Sequence, residues 1–180
     1  MTAERTGAHG VFRAPMRSRL DGVPPGVTRG LAVGVSGVGG ALTPAPADLD
    51  DAVARVSVGY DERTAARLRR FAEVPHGAFV WTRSEGGVHH LGRLTGPWRY
   101  DDSAAAAALD LVHVRPCAWT PVPHALVPPG VLRTFGRGGH NFQRTHDEGL
   151  PEQTLAVWER RDPGYGSVAS RSPTSTRGPV

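Results

Sequence analysis

Residues 78–83 read Ala-Phe-Val-Trp-Thr-Arg, residues 84–87 read Ser-Glu-Gly-Gly, and residues 88–95 read Val-His-His-Leu-Gly-Arg-Leu-Thr. The aromatic and β-branched side chains of the first segment are typical of a β-strand. The paired glycines that follow supply the backbone freedom that a tight turn needs. We therefore predict a β-hairpin near the middle of the chain, with the third segment as its returning strand.

The elements on either side of this hairpin are also predicted by local pattern. Asp61 can cap a helix, apolar side chains recur at helical spacing from Ala65 to Ala72, and Pro75 ends the pattern. After the hairpin, residues 111–119 return to β structure. A valine-rich run between glycines at residues 30–37 predicts a further, buried strand.

The remaining segments are less regular. Residues 42–50 form a Pro/Ala loop, and residues 50–58 are read as a short helix or a loosely held connection. Residues 131–135 are read as a short strand or turn, followed by a flexible basic loop at 136–140. Charged residues around Leu155 and Trp158 predict a short C-terminal helix at residues 151–161.

Length and composition bound the domain organisation. The chain has 180 residues, which suits one ordinary domain, and its 23 Gly and 16 Pro favour short strands and turns over a helical bundle. Residues 1–10 and 162–180 are polar and show no apolar periodicity. We therefore predict a single α+β domain at residues 11–161 between two disordered tails.

Charge and cysteine usage suggest the setting and the class of partner. All 21 basic residues are arginine, which we attribute first to a GC-rich genome, and the net charge of +4 is compatible with a polyanionic partner. Cys117 is the single cysteine, so no intramolecular disulfide can form. No apolar run has the length of a membrane span. These features predict a soluble cytoplasmic protein with no membrane partner.

The order of these elements resembles a known family. The predicted helix is followed by Gly77-Ala78-Phe79-Val80-Trp81, by residues 91–100 (Leu-Gly-Arg-Leu-Thr-Gly-Pro-Trp-Arg-Tyr) and by residues 112–119 (Val-His-Val-Arg-Pro-Cys-Ala-Trp). This series resembles the EVE-like branch of the PUA-like superfamily, and residues 31–36 look like its opening strand. The resemblance spans residues 28–146. One departure is Ala78, which stands where the family often has an aspartate.

The resemblance implies a fold and a function. The fold would be a mixed β pseudo-barrel flanked by short helices, whose mouth accepts one nucleobase turned out of its strand. Such domains also serve as specificity modules in modification-dependent restriction. We therefore expect a non-catalytic reader of a flipped, modified base in DNA, such as 5-methylcytosine. A separate nuclease would be its partner.

A flipped base needs aromatic faces, hydrogen-bonding groups and cations for the flanking phosphates. Trp98 and Tyr100 share one strand face after the Gly96-Pro97 corner, so they are the first candidates for stacking. The predicted base pocket consists of Ser36, Trp81, Trp98, Tyr100, Arg115 and Trp119. The predicted phosphate-binding residues, near turns or loop ends, are Arg93, Arg99, Arg133, Arg137 and Arg144.

The alternatives belong to other classes of protein. An RNA-binding PUA-like module would use the same residues, and aromatic side chains that fill a core would instead fit a protein-interaction module. A hydrolase using His113 lacks an identifiable nucleophile. Adjacent His89 and His90 point to opposite strand faces, so no metal site or other cofactor is predicted.

Overall fold

The computed structural model describes residues 10–139 and 142–161. Its strands are β1 (Val11–Arg13), β2 (Val35–Val38), β3 (Phe79–Arg83), β4 (His89–Leu94), β5 (Arg99–Tyr100), β6 (His113–Val122) and β7 (Gln143–Arg144). Apart from Gly10, the predicted tails at 1–10 and 162–180 lie outside the described residues. His140, the last residue of the predicted basic loop, does so as well.

The helices are short. They are α1 (Val27–Val33), α2 (Leu49–Gly59), α3 (Glu62–Glu73), α4 (Ala104–Ala108), α5 (Pro129–Gly136) and α6 (Leu150–Arg160), with a 3₁₀ turn at His124–Leu126. The protein is therefore of the α+β class, as predicted.

The strands form one curled mixed sheet that resembles half a barrel. Its order is β2-β6-β4-β3-β1-β7, and β5 pairs with the β2 end of β6. Only the β1 to β3 pairing is parallel among the described strands. The ten-residue strand β6 joins the two halves, because residues 117–122 pair with β4 while residues 113–116 pair with β2.

Local signals predicted several of these elements correctly. The hairpin β3 to β4 forms with Phe79 opposite Arg93 and Arg83 opposite His89. Helix α3 begins after Asp61, whose carboxylate accepts a hydrogen bond from the Thr64 amide. The segment at 50–58, predicted to be either a short helix or a loosely held connection, is helical. The C-terminal helix is also confirmed, with Trp158 buried.

Two predictions were wrong. The run at 30–37 is not one strand, because α1 continues to Val33 and Gly34 then adopts the left-handed conformation (φ 71°) that ends the helix before β2 begins. The segment at 131–135 is neither strand nor turn but part of α5. That helix has Pro129 in its first turn, where proline is preorganised for helix.

The described residues form three apolar clusters in the interior. One lies around Leu111, Val114 and the buried Cys117, whose thiol pKa is raised by burial. A second packs the hairpin against α5 and α6 through Trp81 and Leu150. The third joins α2 to α3. This third cluster holds the helix pair next to the end of β2, which forms one wall of the site described below.

Candidate functional site

A cavity of about 150 Å³ lies between the segment after β1, the end of β2 and helix α3. Its aromatic walls are Tyr60 and Phe142. Gly37, Val38, Gly39 and Gly40 contribute the end of β2 and the loop after it. The remaining lining residues are Met16, Arg17, Arg19, Leu20, Asp61, Thr64, Arg67, Leu68 and Asp110. The cavity therefore combines an apolar and aromatic surface with a few polar groups.

Asp110 organises one side of this cavity. Its Oδ1 accepts hydrogen bonds from the amides of Gly40 (2.8 Å) and Ala41 (3.2 Å), and its Oδ2 accepts one from Ser18 Oγ (2.8 Å). The side chain is buried, so these bonds compensate for its loss of water. The carboxylate thus ties β2's following loop to the segment after β1.

Three further side chains hold the same loop. The carbonyl of Gly40 accepts from His113 Nε2 (2.9 Å), and the carbonyl of Ala41 accepts from the Tyr60 hydroxyl (3.0 Å). The Tyr100 hydroxyl accepts a hydrogen bond from the backbone N–H of Leu42 and donates one to its carbonyl. Every backbone N–H and C=O of residues 40–42 is therefore bonded to a side chain. This bonding holds in place a loop without regular secondary structure, of which Gly40 lines the cavity.

Two cavity residues have unusual backbone conformations. Met16 (φ 49°) and Asp110 (φ 45°) are the non-glycine residues with positive φ in the described part of the chain. Such conformations are uncommon outside glycine and are found preferentially at ligand sites, where surrounding contacts maintain them. Both residues lie against the same cavity, which marks it as the candidate functional site.

The end of β2 offers polar backbone groups to this cavity. Gly37 lies opposite Val114, and the bond from the Cys117 amide to the Gly34 carbonyl fixes which positions bond across the pair. With this alternation, the N–H and C=O of Gly37 point away from β6. No backbone hydrogen bond within the described residues uses either group. Gly37, which lines the cavity on an edge strand, therefore has one backbone donor and one acceptor that the sheet does not use.

Charged groups surround the cavity. Arg19 Nη1 donates to Thr64 Oγ1 (3.4 Å), whereas Arg17 and Arg67 form no ion pair with any described residue. The Thr64 amide holds the pKa of Asp61 below its usual value. Burial, with smaller effects of Asp110 and Tyr100, raises the pKa of Tyr60. Among the described residues, the cavity lining therefore carries three arginines against Asp61 and the buried Asp110.

None of the six predicted base-pocket residues lines this cavity. Trp81 is buried in the second cluster, where its Nε1 donates to Thr154 Oγ1 (3.2 Å). Trp119 Nε1 donates to the carbonyl of Val35 (3.0 Å). The aromatic rings of both residues therefore pack within the domain.

Ser36 and Arg115 lie opposite each other on β2 and β6 and are buried. Ser36 Oγ has no hydrogen-bond partner among the described residues. The Arg115 guanidinium donates to the carbonyls of Gly96, Phe71, Ala72 and Val74, three of which are at the C-terminal end of α3. Burial lowers the Arg115 pKa. Its polar contacts are therefore made inside the protein.

The structure does bring Trp98 and Tyr100 together, since both rings contact the ring of His113. The ring of Trp98 is stacked 6.0 Å from that of His113, and the ring of Tyr100 meets it edge-on at 5.2 Å. Burial lowers the pKa of His113 to about 4. This aromatic cluster supports the 40–42 loop from behind, through the His113 bond to Gly40.

The predicted phosphate-binding arginines are dispersed. Arg144 lines an open groove beside the cavity. Arg93 donates to the Gly77 carbonyl, and Arg133 forms an ion pair with Asp147 (3.4 Å). Arg99 and Arg137 are exposed. Arg67, which lines both the cavity and the groove, was not predicted, although its position on α3, three residues after Thr64 and six after Asp61, could have suggested it.

Comparisons with protein-family models, with curated proteins and with solved structures give no match for this chain.

Within residues 10–139 and 142–161, no group of three or more His, Cys, Asp or Glu is placed to hold a metal ion. No helix in that part of the chain is long and apolar enough to cross a membrane. The described residues thus form an α+β protein whose candidate functional site is the cavity between β2 and α3.

Proposed function

We propose that this protein is a non-catalytic nucleic-acid reader that binds one flipped base in the cavity beside Asp110. The observation that carries the proposal is the lining of that cavity, which combines aromatic walls, a backbone donor and acceptor, a carboxylate and arginines at the rim. These are the groups that a base turned out of its stack requires.

Size favours a single ring. The cavity measures about 150 Å³, and an apolar protein cavity of roughly that volume accommodates one benzene molecule. A pyrimidine fits this volume better than a purine, which has two fused rings. The apolar residues Val38 and Leu68 in the lining suit a methyl group on the pyrimidine ring.

Hydrogen bonding favours a base with an amino group. The Asp110 carboxylate already accepts three hydrogen bonds, and a carboxylate has about four lone-pair sites. A further acceptor site remains for a donor such as the exocyclic amine of cytosine. The N–H of Gly37 can donate to a ring nitrogen or carbonyl oxygen of the same base.

We therefore propose that the protein prefers 5-methylcytosine or a related base in DNA. We also propose that its fold is an EVE-like member of the PUA-like superfamily. The curled mixed sheet flanked by short helices is compatible with such a pseudo-barrel. Cleavage of the marked DNA would be the task of a separate nuclease. RNA is the second candidate ligand, because flipped bases of RNA present the same edges.

The test is a titration of oligonucleotides that contain one cytosine, 5-methylcytosine, 5-hydroxymethylcytosine or thymine, in DNA and in RNA. We expect the tightest binding to modified cytosine in DNA. Phe142→Ala removes an aromatic wall and is expected to weaken that binding by about 1–3 kcal/mol, the range for loss of a base–aromatic stack.

The matched control is Phe135→Ala, because Phe135 is also partly buried but packs against the second cluster, away from the cavity. Thermal melts of both variants separate lost stacking from lost stability. If the parent protein binds no oligonucleotide, the protein-interaction alternative replaces this proposal. If Trp98→Ala abolishes the preference while Phe142→Ala leaves it intact, the base lies at the originally predicted residues instead.

A further inference from the structure

We infer that the cavity receives one nucleotide of a continuous strand rather than a free nucleoside, because the open groove beside it takes the adjoining nucleotide and Arg67 binds the phosphate between them. This inference rests on the proposed function and deepens it. It assigns a role to a groove that the base-binding proposal does not use.

The groove and the cavity share a boundary. The groove has a volume of about 690 Å³ and is more open than the cavity. It is lined by Phe12, Arg67, Arg70, Glu73, Val74, Phe142, Gln143, Arg144 and His146. Arg67 and Phe142 line both spaces. A group bound at Arg67 is therefore positioned between a ligand in the cavity and one in the groove.

The charge of the groove fits a phosphate backbone. Arg67, Arg70 and Arg144 form no ion pair with any residue in the described part of the chain. The acidic lining residue Glu73 instead pairs with Arg69 on the same helix (3.7 Å). Three guanidinium groups are therefore available to an anionic ligand that follows the groove.

The aromatic side chains at the boundary are fixed in position. The rings of Phe12 and Phe142 are stacked with centroids 5.1 Å apart, and Phe71 meets Phe142 edge-on at 4.9 Å. Phe12 and Phe142 remain only partly buried. Phe12, which lines the groove but not the cavity, therefore offers a ring on which the adjoining base can stack whatever its sequence.

The volumes agree with this division. The smaller cavity suits one ring, whereas the groove is large enough for a sugar, a base and their phosphate. Asp110 and Gly37 would recognise the identity of one base in the cavity. The groove would bind the adjoining part of the strand without distinguishing its bases. An acidic peptide segment would satisfy the same arginines, so it is included as a competitor in the test.

The experiment compares four ligands by titration: 5-methyldeoxycytidine, its 5′- and 3′-monophosphates, and an eight-nucleotide DNA strand with one central 5-methylcytosine. We expect affinity to rise at least tenfold from the nucleoside to the strand. One of the two monophosphates should bind more tightly than the nucleoside, which shows on which side of the base Arg67 lies.

Arg67→Gln is the decisive variant. It should weaken binding of the strand about tenfold and make the negative slope of log affinity against log salt less steep by about 0.7, since one phosphate contact on a single strand is lost. Nucleoside affinity should stay within about twofold, because the aromatic walls and Asp110 are unchanged. Arg70→Gln with Arg144→Gln should reduce strand affinity in the same way.

Arg63→Gln provides the matched control, because Arg63 is exposed on the same helix and lines neither space. If Arg67→Gln weakens nucleoside and strand equally, or leaves both unchanged, the inference is overturned while base binding stands. If neither nucleoside nor strand binds the parent protein, the proposed function itself fails. An acidic peptide is tested as a competitor of the strand. If the peptide displaces the strand and binds more tightly than the strand does, the assignment of the groove to nucleic acid is overturned.

Discussion

The Tyr100 hydroxyl bonds Leu42 twice, accepting from its backbone N–H (2.8 Å) and donating to its carbonyl (2.9 Å). The two residues are 58 positions apart, and this pair anchors the end of the loop whose Gly39 and Gly40 line the cavity. One hydroxyl therefore makes the two backbone hydrogen bonds that a neighbouring strand would make in a sheet.

Tyr100→Phe is expected to lower the free energy of unfolding by roughly 1–3 kcal/mol, because both polar groups of Leu42 lose their partner while partly buried. Chemical denaturation measures this loss. Tyr60→Phe removes a single bond to the Ala41 carbonyl at an exposed site, so it should reduce stability less. Equal losses in the two variants would contradict the anchoring role of Tyr100.

Gly39→Ala tests the close approach of the loop to Asp110. A Cβ at this position would lie 2.1 Å from Asp110 Oδ2 and 2.9 Å from the Asp110 carbonyl oxygen, so the carboxylate must move. We expect about 1–3 kcal/mol of destabilisation and a parallel loss of ligand binding. The measurements are a denaturation curve and an oligonucleotide titration.

Gly59→Ala is the control for that substitution. Gly59 ends α2, and a Cβ there meets no atom of residues 10–139 and 142–161 within 4 Å. Since alanine restricts the unfolded chain and favours helix, stability should stay the same or rise by up to about 1 kcal/mol. A similar destabilisation in both variants would show that loss of glycine, rather than the contact with Asp110, is responsible.

Arg115→Met tests whether Arg115 supports the fold or contacts the base. The substitution leaves buried carbonyls at the end of α3 without a donor, so we expect roughly 1–3 kcal/mol of destabilisation. Arg133→Met breaks an exposed ion pair with Asp147 and should cost less than about 1 kcal/mol. Arg115→Met protein that remains folded should keep its preference for modified cytosine. Loss of that preference without loss of stability would place Arg115 at the base.

His113 makes stability depend on pH. Its pKa is lowered from 6.5 to about 4 by burial, so the unfolded chain binds a proton at a higher pH than the folded protein does. The free energy of unfolding therefore falls as pH decreases from about 6.5 to about 4, by roughly 3 kcal/mol in total, and is independent of this group at higher pH.

His113→Gln should remove this component, which appears as the difference between denaturation series for parent and variant across that pH range. The comparison is needed because burial also lowers the pKa values of His89 and His90. A parent and His113→Gln series that run parallel would contradict the assignment.

The elements that could be predicted are those whose signals are local. The hairpin at 78–95 and the helix after Asp61 each contain their own strand pattern, turn glycines or cap. The prediction of one strand at 30–37 was wrong because its local signal is ambiguous. Gly34 suits both a strand end and a helix end. Only the packing of α1 against β2 selects between them.

The cavity could not be predicted in this way, since its polar wall is assembled from distant parts of the chain. Asp110 bonds Ser18 across 92 positions and Gly40 across 70, and no short pattern marks any of the three. Composition and strand pattern indicated a basic α+β protein with aromatic residues near one another. Which aromatic side chains fill the core and which line a cavity was decided by tertiary packing, because alternation along a strand defines two faces but not what each face meets.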